Sequence, residues 1–218
     1  MKNDTAPHPA IRGVYALADT SLLTGAELLV RVEAALRGGV AVVQYRDKSA
    51  DASRRLAEAG ALRALCRRHG AAFIVNDDID LALRVGADGV HLGRDDPSPA
   101  LARVRLGPAA LIGATCYDRL ELAPAALAAG ADHVAFGRFF PSSTKPGEIY
   151  ASLDLLRAAR ASLRCPIVCI GGIRADNAAP LVAAGADALA VGSALFGPGV
   201  DTEAAARALA DLWKRRSI

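Results

Sequence analysis

Aromatic residues are scarce in this chain, and no stretch of it is long and apolar enough to cross a membrane. Phe, Trp and Tyr make up 5% of the 218 residues, and the formal charge of +3 is spread along the chain. Proteins that bind nucleic acid usually gather basic and aromatic side chains on one surface, so nucleic acid is not an expected partner. A membrane helix needs about 20 consecutive apolar residues, so a membrane partner is not expected either.

The sequence also lacks the features of a secreted, disulfide-bonded protein. The first ten residues, MKNDTAPHPA, contain no apolar run of the kind that a signal peptide requires. The only cysteines are Cys66, Cys116, Cys165 and Cys169, and no two of them have the C-x₂-C spacing of a zinc site. We therefore expect reduced thiols and a cytoplasmic location.

Short apolar runs alternate along the chain with longer segments rich in Ala, Leu and Arg. The runs predict strands at 11–18, 40–46, 72–76, 88–92, 110–115, 132–136, 166–170 and 187–191. The segments between them predict helices near 25–37, 51–69, 78–85, 98–105, 118–129, 151–163, 176–184 and 203–215. The length suits a single domain over 1–218, with 1–10 as a loose N-terminal segment.

A repeated triplet indicates how these units are joined. Gly-Ala-Asp closes a helix and opens a strand at Gly86–Asp88, Gly130–Asp132 and Gly185–Asp187. Glycine readily adopts the left-handed conformation that ends a helix. Eight such units favour an α/β fold of the (β/α)₈ or TIM-barrel type. A doubly wound open sheet has the same alternation, but no G-x-G-x-x-G follows the first predicted strand.

In a barrel of this type the chemistry lies at the carboxyl ends of the strands, and the second predicted strand ends in charged residues. Alternation places Gln44, Arg46 and Lys48 on one side of the chain and Tyr45 on the other. An amide and two cations suit a ligand with several anionic oxygens. The alternative is a strand end whose charges are simply solvated.

Carboxylates follow the third and fourth predicted strands. Asp77 and Asp96 come from neighbouring strands and are expected to converge at one rim, where two carboxylates suit Mg²⁺ held together with substrate phosphates. Asp78 is expected to cap the next helix instead. His91 lies in an apolar strand, and we expect it to be a core histidine.

Two features point to further anion binding at the same end. The loop 139–147 follows the sixth strand and carries hydroxyls and Lys145, one of only four lysines. The alternative to an anion-binding loop is a polar surface loop. The last two strands end in Gly171-Gly172 and Gly192-Ser193. Glycines there let backbone N–H groups approach a phosphate, although each pair alone also fits a simple turn. One phosphate site and one diphosphate site are therefore expected.

The motifs, taken together, resemble those of the thiamine-phosphate synthase family. They are Q-Y-R-D-K, N-D-D, G-V-H-L-G-R-D-D, F-P-S-S-T-K, I-G-G-I and V-G-S-A, in this order from about Tyr15 to Phe196. The resemblance implies a transferase that joins a pyrimidine diphosphate to a thiazole phosphate, with or without a carboxyl group, and releases pyrophosphate. It also implies one Mg²⁺ per subunit, and it leaves a homo-oligomer open.

The resemblance implies a role for each matching residue. The pyrimidine diphosphate would be bound by Gln44, Tyr45, Arg46, Asp47, Lys48, Asn76, Thr115 and Lys145. The thiazole phosphate would be bound by Ser142, Ser143, Thr144, Gly172, Gly192 and Ser193. Asp77 and Asp96 would hold the metal. Arg46, Lys48 and Lys145 would act catalytically, by stabilising the departing pyrophosphate while the thiazole nitrogen attacks the pyrimidine methylene.

The chain departs from the family pattern at four positions. Thr115 stands in place of serine, Tyr117 in place of a frequent histidine, Gly192 in place of valine or isoleucine, and Ala18 in place of threonine. None of these changes removes a charged participant.

Three other functions remain compatible with a phosphate-binding barrel. A thiazole tautomerase would need an acid/base side chain and no diphosphate site. A phosphosugar isomerase or epimerase would fit if the predicted metal cluster were absent. A catalytically silent protein that binds thiamine-related phosphates as a regulator would be expected to lack one of the charged residues, all of which are present here.

Overall fold

A computed structural model describes residues 11–141 and 151–214 of the chain. Eight parallel strands form a closed barrel in the order of the sequence, with β1 paired to both β2 and β8. The strands are β1 (Gly13–Asp19), β2 (Val40–Arg46), β3 (Ala72–Asn76), β4 (Gly89–Leu92), β5 (Leu111–Tyr117), β6 (His133–Gly137), β7 (Ile167–Ile170) and β8 (Ala188–Val191). The TIM-barrel prediction is confirmed.

Helices follow the strands and form the outer layer of the barrel. They are α1 (Ala26–Arg37), α2 (Ala52–His69), α3 (Ile79–Val85), α4 (Pro99–Leu106), α5 (Leu122–Ala128), α6 (Leu153–Ser162), α7 (Ala179–Ala183), α8 (Ser193–Phe196) and α9 (Thr202–Lys214). Each of the eight predicted helices is present, and α8 is an additional single turn after β8. Among the described residues, no helix is both long and apolar enough to span a membrane.

Two helices are shorter than the sequence pattern predicts, because local turns occupy their first residues. Helix α5 begins only at Leu122, since the chain turns over residues 118–121 and the N–H of Arg119 bonds the Cys116 carbonyl. Before α7, the side chain of Asn177 donates to the Gly172 carbonyl at 3.0 Å and accepts from the N–H of Arg174. Residues whose polar groups are already hydrogen-bonded in a turn gain less from joining the helix.

Each of the three Gly-Ala-Asp triplets connects the strand that follows it to the strand before it. Asp88, Asp132 and Asp187 accept hydrogen bonds from the backbone N–H at the start of the preceding strand, with distances of 2.7, 2.7 and 2.8 Å. Each carboxylate also pairs with an arginine of the helix that leads into that preceding strand; the arginines are Arg63 of α2, Arg103 of α4 and Arg160 of α6. The glycines have φ values of 63°, 98° and 111°, which glycine adopts without strain.

Apolar side chains form two cores, one on each face of the barrel. The larger core lies between the strands and the helices, and includes Phe73, Phe136 and Phe196. The smaller core fills the barrel itself and includes Tyr15, Val42 and Ile74. Because both faces of every strand are covered, polar side chains inside the barrel must find partners there or lie near its mouth.

We expect Asp187→Ala to lower the free energy of unfolding by about 1–3 kcal/mol, because the N–H of the fully buried Ile167 loses its acceptor and Arg160 loses its partner. Urea unfolding followed by circular dichroism measures the change. Asp154→Ala is the matched control: Asp154 pairs with Arg157 at the surface, where its side chain is 90% exposed, so its loss should matter little. Equal stability of the two variants would contradict the role given to the repeat.

Candidate active site

A cavity of about 280 Å³ lies at the carboxyl ends of the barrel strands. Its wall is contributed by all eight strands and by the segments that follow them. Seven residues expected from the sequence to bind substrate line it: Gln44, Arg46, Asn76, Thr115, Gly172, Gly192 and Ser193. The fold thus brings together residues that lie up to 149 positions apart in the sequence.

A buried carboxylate holds Arg46 in the wall of this cavity. Asp19, the last residue of β1, is 5% exposed and accepts a hydrogen bond from Nη1 of Arg46 at 2.5 Å. Its other oxygen accepts from the N–H of Ser21 at 2.9 Å. Asp19 was not among the site residues expected from the sequence, although its place at a strand end was a usable signal.

A second cluster of charges joins the ends of β2, β3 and β4. Nζ of Lys48 donates to Oδ2 of Asp77, and the carboxyl groups of Asp77 and Asp96 are within hydrogen-bonding reach of each other. Burial alone would raise the pKa of both acids. The hydrogen bond from Asp96 and the ammonium of Lys48 outweigh burial at Asp77 and lower its pKa, whereas burial and the neighbouring Asp77 raise the pKa of Asp96. As the pH falls, Asp96 is therefore protonated before Asp77.

The backbone at Asp77 has the left-handed conformation that residues with a Cβ seldom adopt. Its φ is 64°, and its N–H donates to the His91 carbonyl at 2.9 Å. Such conformations cost about 1–3 kcal/mol and are common at functional sites. Asp77 directly follows Asn76, which lines the cavity, whereas Lys48, Asp77 and Asp96 are not themselves among the residues that line it.

The donor set of this cluster fits a hard divalent cation. Two carboxylates from adjacent strands lie close enough to share a proton, and Oδ2 of Asp96 is fixed by the N–H of Gly93 at 2.7 Å. Among the described residues, no group of three or more His, Cys, Asp or Glu side chains is placed to hold a metal. Mg²⁺ commonly takes only one or two carboxylates and completes its octahedral shell with water and substrate phosphate.

The opposite wall of the cavity is formed by glycine backbone. Gly172 has a φ of 62°, and a Cβ at this position would lie 2.2 Å from the Pro141 carbonyl oxygen. Asn177 fixes the turn by donating to the Gly172 carbonyl. Any residue other than glycine would therefore displace the chain here, which explains the pair Gly171-Gly172 at the end of β7.

Arg31 of α1 holds the chain that follows Gly192 and Ser193. Its guanidinium donates to the carbonyl oxygens of Leu195, Phe196, Gly197 and Val200 at 2.8 to 3.2 Å, and to Oγ1 of Thr202. These carbonyls belong to α8 and to the loop before α9. The carbonyl groups at the carboxyl end of α8 thus accept hydrogen bonds from a side chain that is distant in the sequence.

Two predicted binding residues point their side chains away from the cavity. The hydroxyl of Tyr45 donates to Oε2 of Glu58 on α2 at 2.7 Å. Asp47 pairs with Arg54 at 2.7 Å and accepts from the N–H of Ser49; these contacts outweigh its burial and lower its pKa to about 2. Four more predicted residues lie outside the described residues: Ser142, Ser143, Thr144 and Lys145.

Several cavity residues besides Asp19 were not identified as site residues from the sequence, among them Arg138, Tyr15 and His91. Arg138 follows β6, and its Cβ and Cγ lie 2.7 and 2.6 Å from the position that a Cβ on Gly171 would occupy. Tyr15 and His91 lie in the barrel interior. Nε2 of His91 forms a hydrogen bond with Oγ1 of Thr115 at 2.9 Å. His91 was expected to be a core histidine, and it also contributes to the cavity wall.

A fully buried histidine lies beneath these residues. His133 is 0% exposed, its ring centroid lies 5.8 Å from that of His91, and neither ring nitrogen has a hydrogen-bond partner among the described residues. Burial, assisted by His91, lowers the pKa of His133 to about 3. Burial also raises the pKa of the Tyr15 hydroxyl. Both groups are therefore uncharged at neutral pH.

Several known proteins resemble this chain in sequence and in fold. A family model described as "Thiamine monophosphate synthase" matches residues 14–195. The thiamine-phosphate synthase of Thioalkalivibrio sulfidiphilus is 56% identical over 94% of this chain and 96% of that protein. The protein of the same name from Chromobacterium violaceum is 58% identical over 93% and 96%. The structure of thiamine phosphate pyrophosphorylase from Pyrococcus furiosus has a TM-score of 0.83 and 34% identity, and the match covers 93% and 96% of the two chains.

The burial of His133 is expected to make the stability of the fold depend on pH. Its ordinary pKa of 6.5 falls to about 3 in the folded chain, so below pH 6.5 the unfolded chain binds a proton that the folded chain does not. This group therefore destabilises the fold as the pH falls, by about 2 kcal/mol between pH 8 and pH 5. We expect His133→Phe to remove that part of the pH dependence in urea unfolding. Curves for the two proteins that stay parallel from pH 8 to pH 5 would rule this out.

Proposed function

The chain belongs to the thiamine monophosphate synthase family, and we propose that the cavity at its barrel mouth is where thiamine phosphate is made. One substrate is 4-amino-2-methyl-5-(diphosphooxymethyl)pyrimidine and the other is a thiazole phosphate. The C–O bond between the pyrimidine methylene and the diphosphate breaks, the thiazole nitrogen bonds the methylene carbon, and pyrophosphate leaves. The observation that carries this assignment is one cavity lined by the Arg46–Asp19 ion pair on one side and by glycine backbone on the other.

The side formed by β1 to β4 would hold the diphosphate. Arg46, fixed by Asp19, lines the cavity, and Lys48 pairs with Asp77, which directly follows β3. Asp77 and Asp96 would hold Mg²⁺, which neutralises developing charge on the leaving group. Lys145 would add a further cation, in keeping with the family likeness.

The side formed by β7 and β8 would hold the thiazole phosphate. Gly172, Gly192 and Ser193 line the cavity there, and their backbone can approach an anion closely. Ser142, Ser143 and Thr144 would add hydroxyl donors. We assign Tyr45 and Asp47 an indirect part, because their side chains bond α2 and thereby fix the chain between Gln44 and Lys48.

The residues of the site account for the reaction without a side-chain nucleophile. Bringing two reactants together in one cavity removes most of the entropic barrier. Cations placed where negative charge develops on the pyrophosphate lower the barrier further. The groups beneath the cavity are neutral, so they do not oppose positive charge on the pyrimidine methylene.

Further properties of the protein follow from this assignment. The four cysteines are free, which suits the reducing cytoplasm that we propose as its location. Its partners would be phosphorylated small molecules, with neither nucleic acid nor membrane required.

We expect the protein to release pyrophosphate when it is incubated with both phosphorylated halves and Mg²⁺, and to release little when Mg²⁺ is withheld with EDTA. A coupled phosphate assay measures the release, and chromatography identifies thiamine phosphate. A thiazole tautomerase would act on the thiazole phosphate alone, and a silent regulator would bind the phosphates without turnover. Either result would refute the proposed reaction.

We expect Asp77→Ala and Lys145→Ala each to lower kcat by about 100-fold or more, and to change the affinity for thiazole phosphate by less than about threefold, because both residues act on the leaving group. Steady-state kinetics and calorimetry measure the two quantities. Lys214→Ala is the control for the second variant, since Lys214 pairs with Asp211 on α9 at the surface. Unchanged turnover in either site variant would contradict its assigned role.

A further inference from the structure

The amide of Gln44 is held in one orientation by a buried tyrosine. Gln44 is 4% exposed, and its Nε2 donates to the hydroxyl oxygen of Tyr15 at 2.8 Å. Tyr15 is 1% exposed and lies on β1, next to the strand that carries Gln44. With its N–H₂ directed at Tyr15, the amide has its carbonyl oxygen available as a hydrogen-bond acceptor in the cavity.

A second pair of the same kind lies across the cavity. His91 of β4 bonds the hydroxyl of Thr115 on β5 through Nε2 at 2.9 Å, and both residues line the cavity. Behind them, Gly113 leaves room for two imidazole rings, because a Cβ there would lie 2.3 Å from Nδ1 of His91 and 2.3 Å from Nε2 of His133. His91 is therefore packed against a buried ring as Tyr15 is.

The pair formed by Gln44 and Tyr15 is uncharged, in contrast to the rim of the same cavity. The charged groups Asp19, Arg46, Lys48 and Asp77 lie at strand ends, whereas Tyr15 and His133 lie deeper, in the barrel interior. A neutral floor bearing a carbonyl acceptor and a hydroxyl suits a heteroaromatic ring that carries an amino group, because such a ring offers N–H donors and ring-nitrogen acceptors on one edge.

We infer that Tyr15 and His91 are positioning residues for the aminopyrimidine half of the substrate, acting through Gln44 and Thr115. The inference rests on the proposed function for the identity of the ligand. Tyr15 fixes which end of the Gln44 amide faces the cavity, and His91 fixes the hydroxyl of Thr115. A site prepared in this way discriminates strongly against a ring that lacks the matching polar groups, since buried partners would be left unpaired.

Tyr15→Phe removes one oxygen and keeps the ring that fills the barrel. We expect the KM for the pyrimidine diphosphate to rise about fivefold to tenfold, the effect of one misdirected hydrogen bond. The KM for thiazole phosphate should stay within about twofold, because the altered group lies at the other half of the cavity. An equal rise in both KM values would mean a general structural defect and would overturn the inference.

A double-mutant cycle separates direct from indirect action. In a Gln44→Ala background, Tyr15→Phe should have no further effect on the KM for the pyrimidine diphosphate, because Tyr15 acts only through the amide. Additive effects would overturn the positioning role of Tyr15.

The histidine pair supplies an independent test should Tyr15→Phe fold poorly. We expect His91→Leu to raise the KM for the pyrimidine diphosphate about fivefold, and His91→Gln, which keeps a hydrogen-bonding group on the side chain, to recover part of the loss. His69→Leu is the control, because His69 lies on α2 beside Glu33. No recovery by glutamine, or an equal effect of the control, would overturn the role of His91.

A binding experiment keeps this inference separate from the reaction. Calorimetry with 4-amino-5-hydroxymethyl-2-methylpyrimidine, which carries no phosphate, tests the floor alone. Weaker binding to Tyr15→Phe and His91→Leu than to the unaltered protein supports the inference, even if no pyrophosphate is released and the proposed function fails. Equal binding to all three proteins overturns the inference, even if the reaction proceeds.

Discussion

Desolvation inside a closed barrel decides where this chain can keep a charge. With helices outside and side chains filling the interior, an ion below the mouth has neither water nor space for a counterion. His133 and Tyr15 accordingly remain neutral there, and the ionised groups lie at the strand ends in close pairs. The cavity therefore has a neutral floor and a charged rim, and this division matches a substrate with an aromatic ring at one end and a diphosphate at the other.

The fold was predictable because the sequence shows both the alternation of strands with helices and the residues that connect them. Alternation of short apolar runs with long helical segments located every strand to within a few residues, and the Gly-Ala-Asp triplet marked three of the joints. The structure adds the reason for the aspartate, which accepts from the N–H of the neighbouring strand. The starting residues of α5 and α7 were not predictable. The residues just before each helix form hydrogen bonds within turns, and these bonds compete with the helix.

The site was predictable where it lies at strand ends and not where it lies within strands. Gln44 and Arg46 were located because they lie at the end of a predicted strand, where side chains face the barrel mouth, whereas Thr115 followed only from the family likeness. Tyr15 gave no such signal, since both faces of its strand are buried and an inward tyrosine looks like an outward one. Tyr45 illustrates the converse: alternation placed it on the outer side, family likeness placed it in the binding set, and its hydroxyl bonds α2.

The charge balance at the rim explains why a metal ion belongs in the proposed reaction. Arg46 already faces Asp19, and Lys48 already faces Asp77, so the two described cations closest to the diphosphate side are each offset by a carboxylate. Such pairs can orient an anion, but they carry little net charge with which to stabilise a departing pyrophosphate. In the proposed reaction, the further positive charge would come from a divalent cation at Asp77 and Asp96, together with Lys145. The carboxylates would then have two roles: they hold the basic side chains in place, and they would bind a cation of higher charge that arrives with the substrate.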